Sequence, residues 1–527
     1  MDTVADLLLA RRDDHDTALL FENRRVTWAE HVDISRRWAS SIDRMLDETS
    51  PRHVGVLLDN IPEFSYLLGA AALGGFVLVG LNSTRSAAAL VEDARRTHCR
   101  FVLTDTARIG TLSTPSFDAT SADWRARMSA GPAMTPVVDE LMMLVFTSGT
   151  SGDPKAVRCT HSKVAAPGRM LAERFDLGPQ DTVYVSMPLF HSNAVMAGWS
   201  VALASGANLA LRRTFSASGF FSDVRAFGAT YANYVGTPLS YVLQTPQRPD
   251  DRDNPLRVAY GNEATPGAAA HFAERFGVRV VDGFGSSEGG VSIARTPDTP
   301  PGALGPLPDG VEIHAVDGSR CASALFDQHG ALLNESDAVG ELVNTSGPGM
   351  FCGYYDDPEA EADRMRHGMY YSGDLAYADV DGYAYFAGRS SGWLRVGGEN
   401  LGSAPIERIL LRHSGVEAVS VYGVPAAGPG DRVMAAIVAP SNVMDGFAGF
   451  LAAQSDLSAR AHPHLVRVCT ELPRTASHKI LARRLQQQRW NTDDPIWLAE
   501  GAGSEFRLLS EAERRELDKS IGSRPAR

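Results

Sequence analysis

A chain of 527 residues is too long for one compact core and fits two or three domains. Its hydrophobic fraction of 44% and charged fraction of 21% describe a soluble globular protein, and a formal net charge of −13 disfavours a nucleic-acid partner, which needs concentrated Lys and Arg. Five cysteines (Cys99, Cys159, Cys321, Cys352, Cys469) lie scattered without C-x-x-C spacing, which argues against zinc or a disulfide framework and fits a reducing cytoplasm.

The chain opens on Met1-Asp2-Thr3-Val4-Ala5-Asp6, acidic and unlike a signal peptide. Phe64 to Leu81 has no charged residue and is long enough to cross a bilayer. It is rich in Ala and Gly and broken by Gly74-Gly75, so it predicts a buried helix running into a buried strand, with at most peripheral membrane contact. Short β-branched runs follow at Val54–Leu58, Phe101–Leu103, Thr182–Ser186, Asn208–Leu211 and Arg279–Val281. They alternate with helical patterns such as Ala87–Thr97, Gly219–Phe227 and Gly267–Phe276, which predicts α/β layers on largely parallel sheets. After residue 294 the Pro- and Gly-dense stretch Thr296–Pro308, and turns at Asp317-Gly318 and Asp381-Gly382, predict a small β-rich subdomain. Gly, Ser and Arg interrupt the pattern at Gly388–Gly398. An α+β unit then runs from Pro405 to about Arg489, with a helix near Ile406–Leu411, strands near Val416–Tyr422, Val433–Val438 and Leu465–Cys469, and a helix near Phe447–Ser455. The polar tail after Trp490 ends in a predicted helix, Ser510–Ile521, with Ser510 and Glu513 at capping-box spacing, and reads as a surface appendage.

The segment richest in chemistry is Leu144-Val145-Phe146-Thr147-Ser148-Gly149-Thr150-Ser151-Gly152-Asp153-Pro154-Lys155. An apolar strand empties into hydroxyls, glycines and one lysine. Backbone N–H groups and hydroxyls of such a loop can surround phosphate oxygens, with the lysine as counter-charge. An ordinary polar turn shows the same residue types. The G-x-x-x-x-G-K-[ST] spacing of a P-loop ATPase is absent.

The segment resembles the phosphate loop of the adenylate-forming superfamily, [ST]-S-G-[ST]-[ST]-G-x-P-K, and matches every element. Gly283-Phe284-Gly285-Ser286-Ser287-Glu288 is similar to the family's G-Y-G-x-T-E, and Tyr371-Ser372-Gly373-Asp374 to its Y-x-[ST]-G-D. Gly388-Arg389 resembles the start of its hinge motif, and Pro473-Arg474-Thr475-Ala476-Ser477-His478-Lys479-Ile480 its C-terminal P-[RK]-T-x-x-x-K-[IV]. Three further segments resemble the branch of fatty-acid-transport and very-long-chain or bile-acid CoA ligases: Pro188-Leu189-Phe190-His191-Ser192-Asn193, Tyr260-Gly261-Asn262-Glu263-Ala264, and Leu394-Arg395-Val396-Gly397-Gly398-Glu399-Asn400-Leu401.

The resemblance implies an α/β protein. A large N-terminal domain (1–388) of layered α/β subdomains and a small β-rich one precedes a hinge region (389–398), a small mobile α+β C-terminal lid domain (399–490) and a tail (491–527). It implies an acyl-CoA synthetase using ATP, Mg²⁺ and coenzyme A: a carboxylate attacks the α-phosphorus, and a thiol then displaces AMP. Thr147, Ser148, Gly149, Thr150, Ser151, Gly152 and Lys155 would hold the β- and γ-phosphates, and Glu288 the Mg²⁺. Gly261, Asn262, Glu263, Asp282, Gly283, Phe284, Gly285, Ser286 and Ser287 would surround adenine and the α-phosphate. Ser287 stands for the usual Thr, and Phe284 for the usual Tyr. Asp282 is equally a strand-end turn residue. Asp374 would accept the ribose hydroxyls, Arg389 would contact ribose and phosphate, and Lys479 would bridge the attacking carboxylate and the α-phosphate. Gly397, Gly398 and Glu399 would border the coenzyme A tunnel. His191, Tyr234, Val235, Gly236 and Gly283 would line a pocket for a long or bulky hydrophobic acid. Small residues at Gly236 and Gly283 either leave room for that acid or only allow close packing. Gly392 stands where the family has Asp or Lys at the hinge. A carrier-protein phosphopantetheine acceptor is the first rival reading. The second is a non-catalytic homologue, against which Lys155, Glu288, Asp374, Arg389 and Lys479 all argue. A homodimer is compatible with the resemblance, and no residue tests it.

Overall fold

The uncharged stretch Phe64 to Leu81 and the residues just before it show how this sequence becomes a layer in the computed structural model. Pro62 takes the first helical position, where its missing N–H leaves nothing unpaired. Helix Pro62–Gly74 follows, with every residue buried. Gly75 ends it at φ 60°, ψ 36°, the left-handed conformation that glycine adopts without a Cβ penalty. Strand Val77–Gly80, also buried, comes next. The stretch is core, and among the described residues no helix is long and apolar enough to cross a membrane. The structure describes all residues except 1–2, 48–50, 131, 134, 138–139, 148–153, 237, 265, 329–331, 390–393, 397–398, 427–429, 459, 475–479, 502 and 522–527. The described residues of Met1–Ser292 and Met350–Asp363 form one compact unit; those of Ile293–Gly349, Arg364–Thr475 and Lys479–Arg527 form a second.

Two largely parallel sheets carry the first unit. One orders Ser116–Asp118, Cys99–Thr104, His53–Leu57, Val77–Gly80, Leu141–Thr147 and Lys155–Thr160, and only its last pair is antiparallel. The other runs through Arg279–Gly285, Val258–Asn262, Tyr231–Val235, Thr182–Val185, Asn208–Leu211, Thr17–Phe21 and Arg24–Thr27. Successive strands that run parallel in one sheet need a crossover between them, and helices Ala87–Arg96, Phe220–Phe227 and Pro266–Phe276 supply three of these where the helical patterns predict. Phe220, Phe221, Phe272 and Phe276 of two of these helices bury their rings together, with Phe221 and Phe276 stacked at 4.1 Å between centroids.

In the second unit an antiparallel sheet orders Gly305–Pro306, Tyr383–Arg389, Met369–Ala378, Gly340–Asn344 and Val311–His314. This is the expected β-rich segment. A second sheet orders Ala418–Pro425, Asp431–Val438, Leu465–Cys469, Ile496–Leu498 and Arg507–Leu508. The last two strands correct the reading of the tail as an appendage. Ile496 and Leu509 are buried with Trp490, Leu465 and Met434 in one apolar cluster, and strand Ile496–Leu498 pairs directly with Leu465–Cys469. Helix Glu511–Ile521 carries the predicted cap: Ser510 N donates to Glu513 Oε2 at 2.9 Å, and Glu513 N to Ser510 Oγ at 3.3 Å. Arg514 then donates to the carbonyls of Trp490 and Asp494 at 3.0 and 3.1 Å, tying the helix to the sheet.

Candidate active site

Open parallel sheets present ligand sites at the carboxyl ends of their strands. Thr147 closes Leu141–Thr147, Asn262 closes Val258–Asn262, and Asp282, Gly283, Phe284 and Gly285 end Arg279–Gly285. Thr147 lies directly opposite Lys155 in the antiparallel pair. Strand pairing alone therefore brings the two ends of the glycine-rich loop together. Ser148, Gly149, Thr150, Ser151 and Gly152 lie outside the described residues.

Glu288 is buried, and its Oε1 accepts a hydrogen bond from the Tyr354 hydroxyl at 3.0 Å. The Lys155 ammonium sits 5.3 Å from the centroid of the same Tyr354 ring, within reach of a cation–π attraction. Lys163 is buried as well, and its Nζ donates to the Glu288 carbonyl at 2.8 Å and to that of Arg158 at 3.3 Å. One aromatic side chain thus holds a carboxylate at its edge and an ammonium over its face. A lone carboxylate that shares its ion with phosphate oxygens is a Mg²⁺ donor set. Among the described residues no three His, Cys, Asp or Glu side chains stand together to hold a metal.

On the neighbouring strand ends, Asp282 Oδ1 accepts from the Tyr234 hydroxyl at 2.7 Å and from Ala264 N at 3.3 Å. That oxygen is occupied within the fold. Asn262 Nδ2 donates to the Gly283 carbonyl at 2.6 Å. Glu263 is exposed and has a φ of 64°. A Cβ on Gly261 would stand 2.2 Å from the Tyr234 carbonyl oxygen. Ser286 accepts a turn bond from Gly289 N at 3.1 Å, and Ser287 Oγ lies 2.7 Å from Ser192 Oγ. Gly236 has a φ of 70°, a left-handed conformation that favours glycine, and a Cβ on Gly283 would meet the Tyr260 hydroxyl at 2.8 Å. Tyr234 is buried and borders a cavity walled by Met187, Phe215, Phe220, Leu239 and Val242, with space of only about 10 Å³, roughly one water. Val235 and His191 are half-buried, and burial lowers the His191 imidazole to about 4. That ring is neutral near pH 7.

In the second unit, Asp374 and Arg389 sit opposite each other on strands Met369–Ala378 and Tyr383–Arg389. Arg389 Nε is 3.3 Å from Asp374 Oδ1. Asp374 is buried, and the preceding Gly373 N donates to Glu341 Oε1 at 2.7 Å, whose other oxygen pairs with Arg366 at 2.9 Å. The carboxylate is thereby fixed beside a cation. Glu399 begins strand Glu399–Leu401, paired with Leu394–Val396. Gly397 and Gly398, Gly392 and Lys479 all lie outside the described residues.

A family model described as AMP-binding enzyme matches residues 9–355, and one described as AMP-binding enzyme C-terminal domain matches residues 405–479. The chain belongs to the AMP-binding enzymes. Among relatives of this adenylate-forming family, it is 51% identical over 505 residues to the medium/long-chain-fatty-acid–CoA ligase FadD17 of Mycobacterium marinum, covering 94% of this chain and 98% of that one. It is 42% identical over 543 residues to the steroid-22-oyl-CoA synthetase of Rhodococcus jostii, covering 98% and 97%. The fold is that of the Bacillus subtilis O-succinylbenzoate coenzyme A synthetase (MenE) in complex with AMP, with a TM-score of 0.75 at 24% identity over 91% of this chain and 98% of that one.

Tyr354, Lys163 and Ser192 carry no role in the sequence reading. Lys163 stands in helix His161–Arg174, and only the packing of that helix buries it. Tyr354 follows Gly353 in a run of aromatics that gives no hint of Glu288, a partner distant in sequence.

Proposed function

We propose that this AMP-binding enzyme activates a hydrophobic carboxylic acid, a medium- or long-chain fatty acid before a steroid side-chain acid, to its coenzyme A thioester. The carrying observation is the Lys155–Tyr354–Glu288 arrangement, with Thr147 directly opposite Lys155 across the strand pair. The names of the relatives at 51% and 42% identity support the acid class. One acid oxygen attacks the α-phosphorus of ATP and pyrophosphate leaves, giving acyl-AMP. The thiol sulfur then attacks the acyl carbonyl, its proton passes to solvent, the bond from that carbonyl carbon to the phosphate oxygen breaks, and AMP leaves with the electron pair.

In this reading Thr147, Lys155 and the loop between them hold the β- and γ-phosphates, and Glu288, steadied by Tyr354, holds Mg²⁺. When bound, that ion neutralises charge on the phosphates. Asn262, Asp282, Phe284 and Ser287 face adenine and the α-phosphate; Asp374 accepts the ribose hydroxyls and Arg389 contacts ribose and phosphate. Lys479 neutralises the carboxylate and α-phosphate as they approach, since fixed charge at the reacting centre is the largest rate term in such transfers. Residues 389–398 are the hinge, and Gly397-Gly398 border the thiol's path. His191, kept neutral by burial, lines the acid site in this reading. Five free thiols fit a reducing compartment such as the cytoplasm.

The test is mass-spectrometric detection of acyl-CoA after incubation with Mg-ATP, coenzyme A and acids from medium-chain fatty to steroid side-chain. A thioester confined to fatty acids supports the reading in full, and one confined to steroid acids moves the acid class. Acyl-AMP without thioester points to a carrier-protein acceptor and overturns the coenzyme A step.

A further inference from the structure

Of the run His191-Ser192-Asn193, only His191 has so far been given a place. The three-residue turn Ser192–Ala194 leads straight into a π-helical turn, Val195–Trp199, a rare backbone form that is frequent at functional sites. Two side chains of the run reach across to the nucleotide side. Ser192 Oγ lies 2.7 Å from Ser287 Oγ. Asn193 stands in the middle of a line of three amides. Asn233 Nδ2 donates to Asn193 Oδ1 at 2.6 Å, Asn193 Nδ2 to Asn262 Oδ1 at 3.3 Å, and Asn262 Nδ2 to the Gly283 carbonyl at 2.6 Å.

Asn193 and Asn262 each accept on one side and donate on the other, so their dipoles point one way and strengthen one another, while Asn233 at the head of the line only donates and its Oδ1 has no hydrogen-bond partner. Turning Asn193 over would set N–H against N–H and oxygen against oxygen. The line starts against the π-helical turn. Asn233 is buried, and a Cβ on Gly198 would stand 3.2 Å from Asn233 Oδ1 and 2.7 Å from Val185 Cγ2. It ends on the carbonyl of Gly283, between Asp282 and Phe284. It therefore joins strand Tyr231–Val235 to the ends of two neighbouring strands through a side chain that belongs to neither.

We propose that Asn193 is a positioning residue for adenylate formation. With Ser192 it fixes Asn262, the Gly283 carbonyl and the Ser287 hydroxyl in register with strand Tyr231–Val235. The inference rests on the proposed reading of those groups as the adenine and α-phosphate contacts. Asn193→Ala frees Asn262 to rotate off Gly283 without touching either ligand.

Mg-ATP affinity is measured by titration calorimetry without acid, and adenylation by ATP–pyrophosphate exchange with dodecanoate, for Asn193→Ala, Asn262→Ala and the double variant. Asn193→Ala should weaken Mg-ATP roughly tenfold while KM for dodecanoate stays within about twofold, a split that general loosening does not produce. The double variant should be no worse than Asn262→Ala alone, because members of one network are not additive. Wild-type ATP affinity in Asn193→Ala, or fully additive losses, overturns the proposal. Should Asn193→Ala fail to fold, Asn193→Asp keeps the size and the acceptor but removes the donor, and the same weakening is expected. Wild-type protein that binds Mg-ATP but exchanges no pyrophosphate with any acid overturns the functional reading, while the calorimetry still decides the amide line.

Discussion

Tyr354 is used at both its edge and its face. Its hydroxyl donates to Glu288 and its ring lies beneath the Lys155 ammonium. Tyr354→Phe removes the first contact and keeps the second. A hydrogen bond to a charged group is worth about 1.5–3 kcal/mol, so the variant should lose roughly tenfold or more in adenylation at limiting Mg²⁺ and recover part of it as Mg²⁺ is raised. Pyrophosphate exchange against Mg²⁺ concentration checks this, and an unchanged Mg²⁺ dependence would exclude the link to Glu288. The motifs that hold Thr147, Glu288, Asp374 and Arg389 are legible in the sequence because each is a short run of adjacent residues. Their supports are not. Tyr354 and Lys163 reach Glu288 only because Lys155–Thr160 runs beside Met350–Tyr355, with Val157 bridged to Tyr354 and Arg158 N bonded to the Gly353 carbonyl at 3.1 Å.

Helix Ser403–Leu410 and the tail strands decide the stability of the second unit. On the helix, burial pushes the Glu407 carboxyl up to about 7, although it accepts a hydrogen bond from Val421 N at 2.8 Å. The folded form thus keeps a proton that the unfolded chain has released above its ordinary carboxylate range. Stability from this group is full at low pH and falls as pH rises from about 4.5 to about 7. Glu407→Gln keeps the acceptor and cannot ionise. Melting temperatures of variant and wild type should diverge with rising pH, the variant melting higher at pH 8 by several degrees; parallel curves would contradict the buried carboxyl. The tail makes the second case. Removing residues 491–527 strips the partner from the edge of Leu465–Cys469 and uncovers Trp490 and Leu465. An exposed edge strand with apolar neighbours aggregates, so the truncated chain should lose most of its soluble yield and melt earlier in circular dichroism. An unaltered melt would restore the appendage reading. Sequence polarity pointed that way because strand Arg507–Leu508 is exposed, and the few buried residues described there, Ile496, Ala499 and Leu509, are spread along the segment.

For the molecule as a whole, the two half-reactions are the natural readout. Lys479→Ala should abolish acyl-AMP formation while leaving thioester formation from supplied acyl-AMP within about tenfold of wild type, because a group that acts in one transition state lowers only that step. Equal loss in both half-reactions would remove Lys479 from the adenylation step.

The linear order of residues by itself determined the family, the alternation of short strands and crossover helices, the buried character of Phe64–Leu81 and the motifs from which the proposed nucleotide contacts are drawn. Those properties are local: a period, a breaker, a motif of adjacent residues. Tertiary structure decided which side chains support them. The pairing of Asp374 with Arg389 follows from the register of two antiparallel strands, the hold on Glu288 from a strand returning beside Lys155–Thr160, and the amide line through Asn193 from three elements converging at strand ends. It also placed the tail in a sheet. Each of these depends on segments far apart in the chain meeting at hydrogen-bond distance, and no local pattern encodes that distance.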